Sequence, residues 1–192
     1  AMRVFGIEKP EDVTPNDRRN AKAVNFGVVY GISDFGLSNN LGITRKAAKT
    51  YIDTYFERYP DIKKYMEDIV RSAKDKGYVE TLYHRRRNLP EINARNFSVR
   101  SFAERTAINS PIQGSAADIL KVAMINLDRA LAAGGYQAKM LLQVHDEIVL
   151  DVPHDELDAI KALVKTTMEE AIDLKVPLLV DENSGKTWYE AK

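Results

Sequence analysis

Four side chains at a strict interval of four, Arg18, Lys22, Phe26 and Tyr30, would form one slowly turning stripe on a helix. Two cations followed by two aromatics suit a nucleotide. Guanidinium and ammonium groups meet phosphate oxygens as charge-assisted donors, and an aromatic face stacks on a base or sugar. The same spacing fits a basic surface turn followed by a core Phe and a core Tyr, which on spacing alone is the commoner outcome. Gly27 inside the stripe costs a helix about 1 kcal/mol relative to Ala, which implies close packing against the backbone there. A second group is Gln143-Val144-His145-Asp146-Glu147. Adjacent carboxylates at a hairpin tip suit a hard divalent cation, and such cations assist in-line displacement at phosphorus. A turn in which Asp146 caps its own backbone while His145 and Glu147 stay solvated fits the pattern too, and more often. The third group is Arg105, Asn109 and Gln113, again spaced by four and flanked by Arg100 and Asp118. This polar ridge crosses a segment otherwise full of Ala, Ile and Leu. Amide and guanidinium groups in a row can track a nucleic-acid backbone or minor groove, although a solvated helix face is the commoner explanation. The run His84-Arg85-Arg86-Arg87 is a weaker sign, since charge runs usually sit in water.

The elements that must hold these groups follow from composition and period. The chain has 192 residues, 44% hydrophobic and 29% charged, an ordinary globular composition that excludes disorder and fibrous classes. Lys plus Arg and Asp plus Glu both number 28, so any nucleic-acid role must rest on local clusters. Absence of Cys removes disulfides, thiolate metal sites and a cysteine nucleophile, and fits a reducing compartment. Apolar runs are far too short for a membrane span and the start has no signal-peptide design, so a cytoplasmic protein without membrane partners is expected.

Residues 1 to 17 read as a connecting region containing two helix starts, at Pro10-Glu11-Asp12 and Thr14-Pro15-Asn16-Asp17. Helices are expected from Asp17 to Val29, from Thr44 to Tyr59, and from Pro60 to a stop at Gly77. A short strand at Tyr78–Leu82 precedes the basic run, which reads as loop. A long helix from about Asn96, broken or bent near Pro111, ends at Gly134-Gly135. Gln137 to Val144 and Glu147 to Val152 form a tight hairpin turning at His145-Asp146. A helix from Asp155 to Leu174 and a strand at Leu178–Asp181 close the chain. The fold class is therefore α+β, with a helical subdomain at 1–77 and a mixed one at 78–192, divided somewhere near 77–95.

Together these residues resemble family A DNA polymerases. Arg18-Arg19-Asn20-Ala21-Lys22, continuing to Asn25-Phe26-Gly27 and Tyr30-Gly31, looks like motif B, the long helix of the fingers. Gln143 to Glu147 looks like motif C of the palm. Arg105 to Asp118, with Asn109-Ser110-Pro111-Ile112-Gln113-Gly114, resembles the helix between them. The likeness runs through to Thr187-Trp188-Tyr189. It implies a helical fingers subdomain followed by part of a palm, in a parent enzyme that adds dNTPs to a DNA primer 3′-hydroxyl.

By that resemblance Arg18 and Lys22 bind the triphosphate, with Lys22 counted among the catalytic residues together with Asp146 and Glu147. Phe26 lies against the sugar and base, where Phe rather than Tyr goes with discrimination against dideoxynucleotides. Tyr30 stacks on the template base. Asp146 ligates magnesium, one of two ions in the complete enzyme, with Glu147 beside it and His145 near the primer terminus. Arg105, Asn109 and Gln113 contact primer–template DNA. The family's motif A, which carries the other metal-binding aspartate, has no counterpart in this sequence. The remaining, N-terminal part of the polymerase is thus an implied partner, and the isolated chain is expected to be inactive. The alternative is a non-catalytic module that binds nucleotide or DNA without turnover.

Overall fold

The computed structural model describes residues 1–191, with every side chain among them except that of Arg3. Helices are α1 (Met2–Phe5), α2 (Pro15–Val29), α3 (Asp34–Leu41), α4 (Arg45–Arg58), α5 (Pro60–Lys76), α6 (Phe97–Gly134) and α7 (Leu157–Glu169). Strands β1 (Tyr78–Glu80) and β2 (Arg86–Asn88) pair antiparallel, as do β3 (Lys139–Val144) and β4 (Glu147–Asp151). The fold is α+β. No helix among the described residues is long and apolar enough to cross a membrane.

Two compact units divide inside α6, after Gly114. In the first, Val24 and Val28 of α2 meet Leu37, Ala48 and Tyr55 in one core. Ala73, Val79, Leu89, Ile92, Ala103 and Ala107 form another. In the second unit Leu127, Leu131, Ala138 and Ile160 are buried together, with Met140, Leu150 and Leu163 packed around them. A carboxylate clamp joins that unit's hairpin to its helix. Glu156 accepts from the backbone N–H groups of Gln137, at 2.9 and 3.0 Å, and Ala138, at 3.1 Å.

Several expectations need correction. Helix α3 was not legible, because Gly36, Asn39 and Asn40 are poor helix formers. Its caps are nevertheless sound: Ser33 accepts from the Gly36 N–H at 3.1 Å, and Gly42 closes the end at φ 66°. Arg86 and Arg87 lie in β2 and not in loop, since they pair with Glu80 and Val79. Of the two alternatives at Pro111 the break is excluded, since one helix runs through it. Proline removes the N–H bond to Ala107 there, and Tyr65 Oη donates to the Ile108 carbonyl at 3.1 Å, tying the helix to α5. Burial raises the Tyr65 hydroxyl pKa, keeping it a donor. The last helix ends at Glu169, short of Leu174, and Glu169 accepts from the Val180 N–H at 3.0 Å. Leu178–Asp181 is not a strand, because no neighbouring strand pairs with it among the described residues.

Candidate functional site

Helix α2 presents its stripe by a sequence of local devices. Thr14 and Asp17 form a reciprocal capping box around Pro15: the Thr14 N–H donates to Asp17 at 3.0 Å and the Asp17 N–H to Thr14 Oγ1 at 3.2 Å. The Thr14 hydroxyl donates to the same carboxylate at 2.6 Å. That bond first, then the backbone one, holds the Asp17 carboxyl below its ordinary pKa. Val24 and Val28 turn inward, so Arg18, Lys22, Phe26 and Tyr30 all face solvent. At the far end Gly31 takes φ 72°; its N–H bonds the Val28 carbonyl and the Ile32 N–H bonds that of Gly27, a Schellman closure. The Ile32 side chain then lies over Gly27, where a Cβ would stand 2.9 Å from Ile32 Cγ2. The close packing expected at Gly27 is therefore the helix's own C-terminal return.

The stripe is not a core in disguise. Phe26 is 47% exposed and Tyr30 42%, and their rings stack at 6.4 Å with 13° between planes. The Lys22 ammonium stands 5.6 Å from the Phe26 ring. Exposed aromatics topped by a cation make a surface for a flat, anionic ligand. The reading as a buried Phe and Tyr fails.

Arg105 joins this end of α2, since a Cβ at Gly31 would lie 3.1 Å from Arg105 Cγ. Its guanidinium donates to Ser101 Oγ at 2.9 Å and lies 6.0 Å from the Phe102 ring. One turn on, Asn109 Oδ1 is buried with no hydrogen-bond partner among the described residues. Gln113 is exposed. Arg100 does not continue the ridge: it donates to the carbonyls of Ala94, at 2.9 Å, and Arg95, at 3.3 Å. Asp118 is buried in the second unit.

The second unit carries His145, Asp146 and Glu147 on the β3–β4 hairpin. Val144 pairs with Glu147, so His145 and Asp146 alone make the turn. His145 adopts φ 57°, and its carbonyl accepts from Gln143 Nε2 at 2.6 Å, which braces the turn. All three side chains face solvent. A register shift between Met140 and Leu142 leaves Leu141 and Leu142 both exposed.

The sequence profile of DNA polymerase family A matches residues 1–190. The chain belongs to that family. It is 79% identical over all 192 residues to DNA polymerase I of Streptococcus pneumoniae serotype 4. Identity is 80% to DNA polymerase I of Lactococcus lactis subsp. lactis and 58% to that of Bacillus subtilis. The chain spans 22% of the length of each of these relatives. A solved structure, the POL domain of Pol1 from M. smegmatis in complex with DNA primer-template and dNTP, matches 99% of the chain with a TM-score of 0.94. That chain is 43% identical, and 33% of it is covered.

Divalent metals are used by DNA polymerases generally. The family A chain offers hard carboxylate oxygens at Asp146 and Glu147, which fit magnesium by donor type. Among the described residues no group of three or more metal-ligating side chains gathers.

Proposed function

We propose that this chain supplies the incoming-nucleotide surface and one metal-binding carboxylate of a DNA-directed DNA polymerase. The complete enzyme extends a DNA primer 3′-hydroxyl on a template strand using dNTPs. The observation that carries the reading is the solvent-facing Lys22–Phe26–Tyr30 stripe, a cation over a stacked aromatic pair, in a family A sequence. Arg18 and Lys22, one helical turn apart, hold the triphosphate by charge-assisted bonds. Phe26 takes the sugar and base, and Tyr30 stacks on the template base. Arg105, Asn109 and Gln113 touch primer and template. The orphaned acceptor of Asn109 is buried, so the amide turns outward to meet nucleic acid, and the hydrogen bond made there relieves about 1–3 kcal/mol.

His145 approaches the primer terminus. Asp146 would hold magnesium, with Glu147 as its neighbour; the ions would neutralise charge on attacking and leaving oxygens. The chain's own part is orientation: a capped, closed helix presents its cations at fixed spacing, and positioning of this kind governs rate steeply. Residues 1–77 act as fingers and 78–192 as the route into the palm, and the remaining polymerase segments complete the metal site.

Primer extension by a family A polymerase carrying this chain tests the reading. Asp146→Ala abolishes extension while dNTP still binds, and Lys22→Ala weakens dNTP binding. An Asp146→Ala enzyme extending at the parental rate would overturn it. A second reading is binding without turnover by the 192-residue chain itself, carried by the same exposed cation and stacked aromatic pair. It predicts Lys22-dependent retention of labelled dNTP with no extension.

A further inference from the structure

The polymerase reading leaves the run His84-Arg85-Arg86-Arg87 without a role. The hairpin sends its three arginines to three different places. Arg86 Nε donates to Glu80 at 2.9 Å and its guanidinium lies 4.5 Å from the Tyr78 ring, so its charge is balanced inside the hairpin. Arg87 pairs with Val79, which is buried, yet Arg87 itself is exposed and has no carboxylate partner among the described residues. Arg85 turns back to α6, where its Nη2 reaches the Gly114 carbonyl at 3.4 Å.

Thr81 makes this tip rigid and seats it. Its Oγ1 accepts from the N–H groups of Tyr83 and Arg85, both at 3.2 Å, and its N–H bonds the Arg85 carbonyl at 3.0 Å. Its methyl fills the notch left by Gly114, where a Cβ would lie 2.7 Å from Thr81 Cγ2. Gly114 directly follows Gln113, the exposed end of the polar ridge. The hairpin is therefore docked on α6 beside the last residue of that ridge, with an uncommitted guanidinium at its edge.

We propose that the β1–β2 hairpin continues the Arg105–Asn109–Gln113 ridge as a phosphodiester clamp, in which Arg87 bonds a backbone phosphate of the primer–template while Thr81 and Arg85 lock the hairpin to α6 at Gly114. This rests on the ridge being a DNA contact. A planar guanidinium suits a phosphate in two-pronged fashion and reads no sequence, so the clamp adds affinity without base preference.

The test is equilibrium binding of a fluorescent primer–template duplex by the polymerase carrying this chain, between about 50 and 200 mM salt. One lost phosphate contact lowers the slope of log K against log salt by about 0.9. Arg87→Gln is expected to lower it by that amount, and Arg86→Gln to leave it unchanged. Gly114→Ala displaces the Thr81 methyl and should mimic Arg87→Gln. Adding Thr81→Ser, which removes the methyl and keeps the hydroxyl, should restore the parental slope. An unchanged slope in Arg87→Gln overturns the clamp, as does an Arg86→Gln slope that falls equally. If Gln113→Ala weakens binding while Arg87→Gln does nothing, the clamp alone fails. If neither variant changes binding, the ridge reading fails with it.

Discussion

Helix α2 in the first unit and the β3–β4 hairpin in the second each carry candidate functional side chains, and they are built to different degrees of completeness. The helix has its side chains set by its own caps and by packing inside the first unit. A capping box starts it, a Schellman closure ends it, Gly27 admits Ile32, and buried Val24 and Val28 fix which face looks out. The hairpin has two strands, a bulge that exposes Leu141 and Leu142, and a turn standing on a left-handed His145. Its two carboxylates, Asp146 and Glu147, stand exposed at the turn. A binding surface can be made locally from one helix, whereas a metal site that drives displacement gathers ligands from separated segments.

The sharpest break between the halves is kinetic. In the polymerase, Asp146→Ala should cut kcat by about 100-fold or more with dNTP affinity little changed, because a lost ligand misplaces the attacking oxygen. Lys22→Ala should instead weaken dNTP binding, by about 10-fold for a lost charge-assisted bond of roughly 1.5 kcal/mol. Single-turnover extension across dNTP concentrations separates the two, and equal effects of both variants on binding and rate would dissolve the distinction.

Next in size is the closure of α2. Gly31→Ala should destabilise the first unit by about 1–2 kcal/mol from the left-handed backbone alone. Its methyl must also displace Arg105, since the Cβ position is 3.1 Å from Arg105 Cγ. Gly42 has the same handedness, at φ 66°, with nothing within 4 Å of its Cβ position. Gly42→Ala therefore measures the backbone cost by itself. Urea unfolding should show Gly31→Ala to be the worse, and only Gly31→Ala should alter nucleotide binding.

The hairpin should be nearly indifferent on its exposed face. Leu141→Thr and Leu142→Thr are expected to change stability by less than about 0.5 kcal/mol and to improve solubility. A loss of 2 kcal/mol or more in either, as found for buried leucines, would show that this face is covered in solution.

Legibility in the sequence divides along similar lines. Helices α2, α4 and α5 could be placed within about two residues because capping residues and prolines mark their ends and an apolar period runs between. The hairpin was legible from its turn and β-rich flanks. Missed was α3, where Gly36 and two asparagines mask a helix held by its caps and by buried Leu37. Over-read was Leu178–Asp181, since strand propensity says nothing about whether a partner strand lies alongside. For the site, spacing placed Arg18, Lys22, Phe26 and Tyr30 on one face but could not say which face looked outward. That depends on Val24 and Val28, the alternate stripe, finding Leu37 and Tyr55. The nearness of Arg105 to Gly31 had no local signal at all, because the two are far apart in the chain.

The smallest effect expected tests whether the start of α2 is held by a charge. Asp17 is partly exposed, yet the Thr14 hydroxyl and N–H bind its carboxylate and keep its pKa below the ordinary aspartate value. The folded state then takes up a proton less readily than the unfolded chain. The contribution is fully present above about pH 4 and is lost as the pH falls through the depressed folded value. In Asp17→Asn that acid-sensitive part should vanish: the variant is slightly less stable than the parent at neutral pH and equal to it in strong acid. Because Asp34 and Asp68 are also held low, by Arg45 and Lys64, a global melt would blur the difference. Amide exchange at the Asp17 and Arg18 N–H groups isolates it. If those amides lose protection equally with falling pH in parent and variant, the carboxylate is not what holds the helix start. The regular presentation of Arg18 and Lys22 would then depend on the Val24–Val28 face alone.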